Sequence, residues 1–165
     1  MSKPLTPSRV EIPASVEEIV ALRTSERWVA LRASELRDGS RLVRREERAD
    51  GGIDVAISRE LPAGVPGFLE RFLPKDGRVV QHERWGSITD GACIGSWSVE
   101  VPGAPAELGG TSSLAPSGPV SIQVIEGAVK VSVPIIGGKA ESFLVDVTRK
   151  LMVRENDLLI GHFAG

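Results

Sequence analysis

His82, Glu83, Arg84 and Trp85 put an imidazole, a carboxylate, a guanidinium and an indole on four consecutive positions. Strand side chains alternate, so Glu83 and Trp85 share one face and His82 and Arg84 the other. If that face turns inward, Trp85 walls a cavity and Glu83 acts as a polar anchor or a general base. The alternative is a core indole with Glu83 paired to a neighbouring arginine. Arg59 shares parity with Ile53, Val55, Ile57 and Leu61, an apolar phase. Facing inward, its guanidinium needs a carboxylate, for which Glu83 is available, or it holds the acidic group of a ligand. Twist at the strand end would instead carry it into water. Trp97 stands with Val99 and Val101 amid Gly95 and Gly110, and either walls a pocket or fills the core. Cys93 has no histidine nearby in sequence and reads as a buried, inert thiol. Two isolated histidines and one cysteine make no metal-ligand spacing. Gly137-Gly138-Lys139 lacks the phosphate-loop pattern, so no cofactor is expected. The glycine pair reads as a tight strand-to-helix turn with a positive φ at one of them.

These side chains sit in a chain of 165 residues, long enough for one domain over 1–165 with a true core. A net charge of −2 gives no basic excess, which argues against nucleic acid or an anionic membrane as partner. The single cysteine fits a reducing compartment. The first residues carry no apolar run of the kind a signal peptide needs, and no stretch reaches membrane-spanning length. The expectation is a cytoplasmic protein without integral membrane contact, with a homodimer left open.

The elements that must position the candidate residues follow from period and punctuation. Val10 and Ile12 alternate in a short strand over residues 5–12. Ser15-Val16-Glu17-Glu18 is a capping box that opens a helix, and Thr24 or Ser25 caps a second one carrying Trp28, Val29 and Leu31. From residue 41 the period becomes two: a polar strand over 41–48, a turn at Asp50-Gly51-Gly52, and a clean alternation from Ile53. Residues 61–77 interrupt the strands with a short apolar segment, Phe68 to Leu73, whose Phe68, Leu69, Phe72 and Leu73 fall on one side. Strands resume over 78–85, 92–101, 106–114 and 120–133. The last changes phase between Val124 and Ile125, which predicts a bulge near Glu126-Gly127. Residues 140–163 form a helix of roughly 35 Å, with Ala140, Phe143, Leu144, Val147, Leu151 and Leu158 as its buried stripe.

The order is strand, two helices, six strands, long helix. It specifies an α+β helix-grip fold: a curved antiparallel sheet of about seven strands around the C-terminal helix, with two short helices between strands 1 and 2. The order resembles the START, pollen-allergen-like and polyketide cyclase superfamily. Arg59-Glu60-Leu61-Pro62, Glu83-Arg84-Trp85-Gly86, Val99 to Pro105 and Val133 to Lys139 resemble a bacterial family of unknown function within it. That resemblance implies a cavity between sheet and helix and no particular activity. The expected lining is Ile57, Trp85, Trp97, Leu108, Val129, Val131, Phe143, Leu144, Val147 and Leu151, with Phe68 and Phe72 as a lid and Arg59 and Glu83 as polar groups. The leading reading is binding, or carriage, of a small hydrophobic or lipid-like molecule. The alternatives are a cyclase-like enzyme using Glu83 or Arg59, and a partner-binding or regulatory module whose interior is only core.

Overall fold

Ser15 opens the first helix reciprocally: its hydroxyl accepts from the Glu18 N–H at 3.1 Å while Glu18 Oε1 accepts from the Ser15 N–H at 3.1 Å. The computed structural model describes residues 2–165. Helix α1 runs over Val16–Arg23, and Ser25 caps α2, Glu26–Leu31. The chain then widens into a π turn, Arg32–Leu36, closed by Arg37 in the left-handed region at φ 54°.

The strand predicted over residues 5–12 is β2 (Ser8–Ile12); an additional short strand, β1 (Ser2–Pro4), precedes it, and Leu5 between them dips into the core, 5% exposed. Both pair with β8 (Val120–Val131). The other strands are β3 (Arg41–Glu47), β4 (Ile53–Glu60), β5 (Arg78–Trp85), β6 (Cys93–Glu100) and β7 (Ala106–Ser117). They form one curved antiparallel sheet in the order β1-β8-β7-β6-β5-β4-β3. Alternating charges such as Arg44, Arg45, Glu46 and Glu47 line the edge strand β3, which discourages pairing with another sheet. Helix α3, Gly137–Ala164, lies against the inner face and completes the helix-grip arrangement. No helix among the described residues is long and apolar enough to cross a membrane.

Three local expectations are corrected. The β7–β8 register runs unbroken from Ala106↔Val131 to Ser117↔Val120, so there is no bulge at Glu126-Gly127. The inward residues at the start of β8 are Ser121 and Gln123, each 1% exposed, and the apolar Val120, Ile122 and Val124 face outward. The glycine pair is helical and neither φ is positive; the left-handed residue is Ile135, at φ 72°. Gly137 serves close approach instead, because a Cβ there would come 2.8 Å from the Val131 carbonyl oxygen. Finally, the buried stripe of α3 is Ala140, Glu141, Thr148, Glu155, Asn156 and Leu159, half of it charged or amide-bearing, whereas Leu151 and Leu158 are half-buried.

Polar groups on that stripe divide the interior. One apolar core joins α1 and α2 to Ile12, Val55, Ile57, Trp85, Cys93, Leu114 and Leu159. A second joins Leu5, Val79, Val99, Leu108 and Val129 to Leu144 and Met152. Along β5 the inward order is Val79, Gln81, Glu83, Trp85; along α3, Glu155 and Asn156 fall between Met152 and Leu159. A buried polar belt thus separates two cores.

The two glycines should respond with opposite signs to alanine. Gly138→Ala meets nothing within 4 Å and gains helix propensity, a few tenths to about 1 kcal/mol. Gly137→Ala forces the helix start away from β8 and should lower the urea midpoint. Equal stabilisation by both would show that Gly137 makes no close approach.

Candidate functional site

The belt is built from residues on helices and strands far apart in the chain. Arg23, in the last turn of α1, reaches Glu83 Oε1 at 3.3 Å and Glu155 Oε2 at 3.7 Å, and donates to Gln123 Oε1 at 3.4 Å. Its guanidinium lies 5.2 Å from the Trp28 ring centroid and 5.5 Å from that of Trp85, a cation held beside two indole faces. Arg32, on the π turn, has no exposed surface. It makes a close pair with Glu155 Oε1, a second pair with Asp38 at 2.9 Å, and donates through Nε to Ser40 at 3.2 Å. Gln123 donates to Asn156 Oδ1 at 2.9 Å, and Asn156 donates to the Ser8 hydroxyl at 3.1 Å.

Glu155 shows how these charges stay ionised. Burial works to raise its pKa, but the positive charges of Arg32 and then Arg23 outweigh it and hold the carboxyl below the ordinary range. Arg32 is the counterpart: burial disfavours its charge, and Glu155 and Asp38 reverse that and raise its pKa.

Arg59 is placed differently. It is inward and 8% exposed, not swung into water. It does not pair with Glu83, which is taken by Arg23; its Nε donates to Gln81 Oε1 at 3.1 Å, and Gln81 Nε2 donates to Glu83 Oε2 at 2.8 Å. No carboxylate lies within 4 Å of Arg59 among the described residues.

Three spaces meet at this arginine. An inner chamber of about 50 Å³ is walled by the belt (Arg23, Gln81, Glu83, Gln123, Glu155) with Trp85, Trp97, Ile125, Leu151 and Met152. An apolar chamber of about 80 Å³ lies between the far end of the sheet and α3, lined by Leu61, Phe72, Leu108, Val131, Phe143, Leu144 and Val147 among others. An outer groove of about 720 Å³ runs between α3 and the segment after β4. Arg59 and Leu151 border all three.

Of the expected lining, Trp85, Trp97 and Glu83 fall on the inner chamber, and Leu108, Val131, Phe72, Phe143, Leu144 and Val147 on the apolar one. Ile57 and Val129, both 0% exposed, pack inside the two cores and border neither chamber. Phe68 is 40% exposed and lines neither, because Gly67–Phe72 is a 3-10 helix. At three residues per turn, Leu69 and Phe72 share the inward side and Phe68 turns out. Sequence reasoning missed Arg23, Gln81, Gln123, Thr148 and Glu155. Gln81 was findable from its parity with Val79 and Glu83, and Glu155 from its spacing of four after Leu151. Gln123 was hidden by the supposed bulge, and Arg23 looks like any solvated cation at a helix end.

Trp97 depends on its neighbours being small. It sits in register with Glu83 and Gly110, which faces Gly127, and its indole N–H donates to the Glu126 carbonyl at 3.2 Å. A Cβ at Gly127 would lie 2.6 Å from the Trp97 ring.

The lowered pKa of Glu155 fixes a sign for the pH dependence. Its contribution to stability is present above the ordinary carboxylate range and is lost as pH falls through the lowered pKa. Glu155→Gln takes one of two carboxylates from each of Arg23 and Arg32 and should cost about 3 kcal/mol at neutral pH, with a flatter acid limb. Urea midpoints against pH for both proteins check this; parallel curves would contradict it.

Residues 8–160 match a family model described as a protein of unknown function, DUF2505. An uncharacterized protein of Mycobacterium bovis is 30% identical over 99 residues, covering 58% of this chain and 56% of the relative, so the match spans about half the relative's length. Among solved structures, the aromatase/cyclase ZhuI of Streptomyces sp. R1128 superposes with a TM-score of 0.64 at 8% identity, over 99% of this chain and 94% of that one. A START superfamily protein of Mycobacterium smegmatis gives 0.57 at 13% identity, over 98% and 97%. At such identities the likeness is one of fold. That fold is the START-like helix grip, and by the match over residues 8–160 the chain belongs to the DUF2505 family.

Proposed function

We propose that this protein binds a small hydrophobic or lipid-like molecule in the space between the sheet and α3. The observation that carries this reading is the apolar chamber. Leu108, Val131, Phe143, Leu144 and Val147 converge there without filling it, although protein interiors ordinarily close such gaps. Its volume of about 80 Å³ exceeds the roughly 10–15 Å³ that one water needs. Binding there is driven by apolar burial. The START superfamily likeness supports the same reading, since that fold surrounds an interior between sheet and helix.

Ligand binding is favoured over proton-transfer chemistry by the state of Glu83. Both of its oxygens already accept, one from Arg23 and one from Gln81. A general base needs a carboxylate free to reach its substrate. Glu83 instead holds the wall of the inner chamber.

A titration with an environment-sensitive apolar dye, paired with Leu144→Trp, tests the proposal. The wild type should show one saturable site, and the tryptophan should abolish it by filling the chamber while leaving the thermal midpoint unchanged or raised. A packed core would instead lose about 1–3 kcal/mol to the larger side chain. That loss, with no dye bound by either protein, would leave the interior as core alone and remove the binding reading.

A further inference from the structure

Resting on the ligand-binding reading above, we propose that the ligand is an apolar monocarboxylic acid whose carboxylate is gripped by Arg59. Three guanidinium groups are buried at the belt. Arg23 and Arg32 are each met by two carboxylates. Arg59 has one protein acceptor, Gln81 Oε1, and that acceptor takes its Nε–H. The four N–H groups on its two terminal nitrogens have no protein acceptor within hydrogen-bond distance among the described residues. Neither terminal nitrogen is among the sealed, unpartnered polar atoms, which are Arg23 Nε, Trp28 Nε1 and Trp85 Nε1, so both open onto accessible space where an anion can take the place of water.

The network also fixes how Arg59 is presented. An ionised carboxylate only accepts, so Gln81 must turn its amide NH₂ toward Glu83 and its oxygen toward Arg59. That anchors the Nε edge and leaves the terminal nitrogens as the free edge at the meeting point of the three spaces. Burial, and then the charge of Arg32, push the Arg59 pKa down against the weaker opposing pull of Glu155, Asp38 and Glu83, and an arriving anion would add to that pull. Two parallel N–H donors match the two oxygens of a carboxylate.

The open edge and the charges of the belt together select a monoanion. Glu83, Glu155 and Asp38 are spent on Arg23 and Arg32, and these three carboxylates already equal the three guanidiniums in number. Arg59 alone offers unpaired terminal N–H groups, enough for one carboxylate, and a dianion would bring a second surplus negative charge beside Glu83 and Glu155. The tail direction follows from the lining: from Arg59, the space bounded by Leu61, Phe72, Val99 and Leu144 is apolar. The outer groove, bordered by Phe143, Val147 and Leu151, leads to the same arginine from outside. The ligand is therefore amphipathic, with its charged end inside.

Decanoate and decan-1-ol differ only at that end, and Trp85 and Trp97 on the inner chamber give an intrinsic fluorescence readout. Wild type should bind decanoate at least tenfold more tightly than decanol. Arg59→Met should lose that preference while still binding decanol, and without ligand should melt no lower than wild type because a buried guanidinium that no carboxylate contacts is gone. Arg59→Lys keeps the charge without the fork and should retain only part of the preference; it serves as the test should Arg59→Met not fold. Equal binding of both probes by wild type would overturn the carboxylate assignment and leave the hydrophobic-ligand reading standing. Binding of neither would overturn both. Preference for decanoate undiminished in both variants would place the anion elsewhere and overturn the role of Arg59.

Discussion

A guanidinium taken out of water must be met by carboxylates, and Arg32, fully buried, sets that demand for the whole interior. Glu155 meets it from α3 and Asp38 from the loop before β3. Glu155 also reaches Arg23, and Arg23 reaches Glu83 on β5. The chain of alternating charges therefore ties α1, the π turn, α3 and the middle of the sheet into one register. A helix laid on a sheet by apolar contact alone can slide, because burial is proportional to area and carries no direction. Here a shift of α3 by one turn would remove Glu155 from both arginines.

The same belt makes the interior open. Apolar side chains ordinarily close-pack where they meet, yet Leu108, Val131 and Leu144 of the second core leave the apolar chamber between them. The belt residues cannot retract into the two cores without losing their partners, so space persists along them. Trp97 extends the belt wall over Gly110 and Gly127, where no side chain competes with the indole. Arg59 stands at the boundary with the larger apolar space and is the one guanidinium of the belt that no carboxylate contacts among the described residues.

Much of this was legible in the residues. Ser15 and Glu18 announced a helix start by local chemistry, and Asp50-Gly51-Gly52 announced a hairpin. The two-residue period placed Glu83 and Trp85 together on one face, and Gly95 and Gly110 stood out as small neighbours of Trp97. What escaped lies where local pattern and tertiary demand disagree. Val120, Ile122 and Val124 look like a core face, yet Gln123 turns inward because Arg23 and Asn156 need its amide. Gly137 reads from sequence as part of a tight positive-φ turn, when its role is contact distance. On α3 the apolar residues 143, 147 and 151 suggested a stripe, but they are only half-buried while Glu155, a residue that hydropathy assigns to solvent, is buried. A burial pattern written in ion pairs cannot be read one residue at a time, since each member is plausible only once its partner is known.

Two buried arginines are paired by carboxylates of the fold, and the third keeps its terminal nitrogens open for a ligand. Nitrogen NMR of the arginine side chains addresses this directly, because rotation of a guanidinium about its Nε–Cζ bond slows when its terminal nitrogens are pinned by carboxylates. In the free protein the account predicts slow rotation for Arg23 and Arg32 and averaged terminal nitrogens for Arg59, which become slow when a carboxylate-bearing ligand is added. Slow rotation of all three without ligand would mean that the protein already answers the charge of Arg59, and would contradict the account.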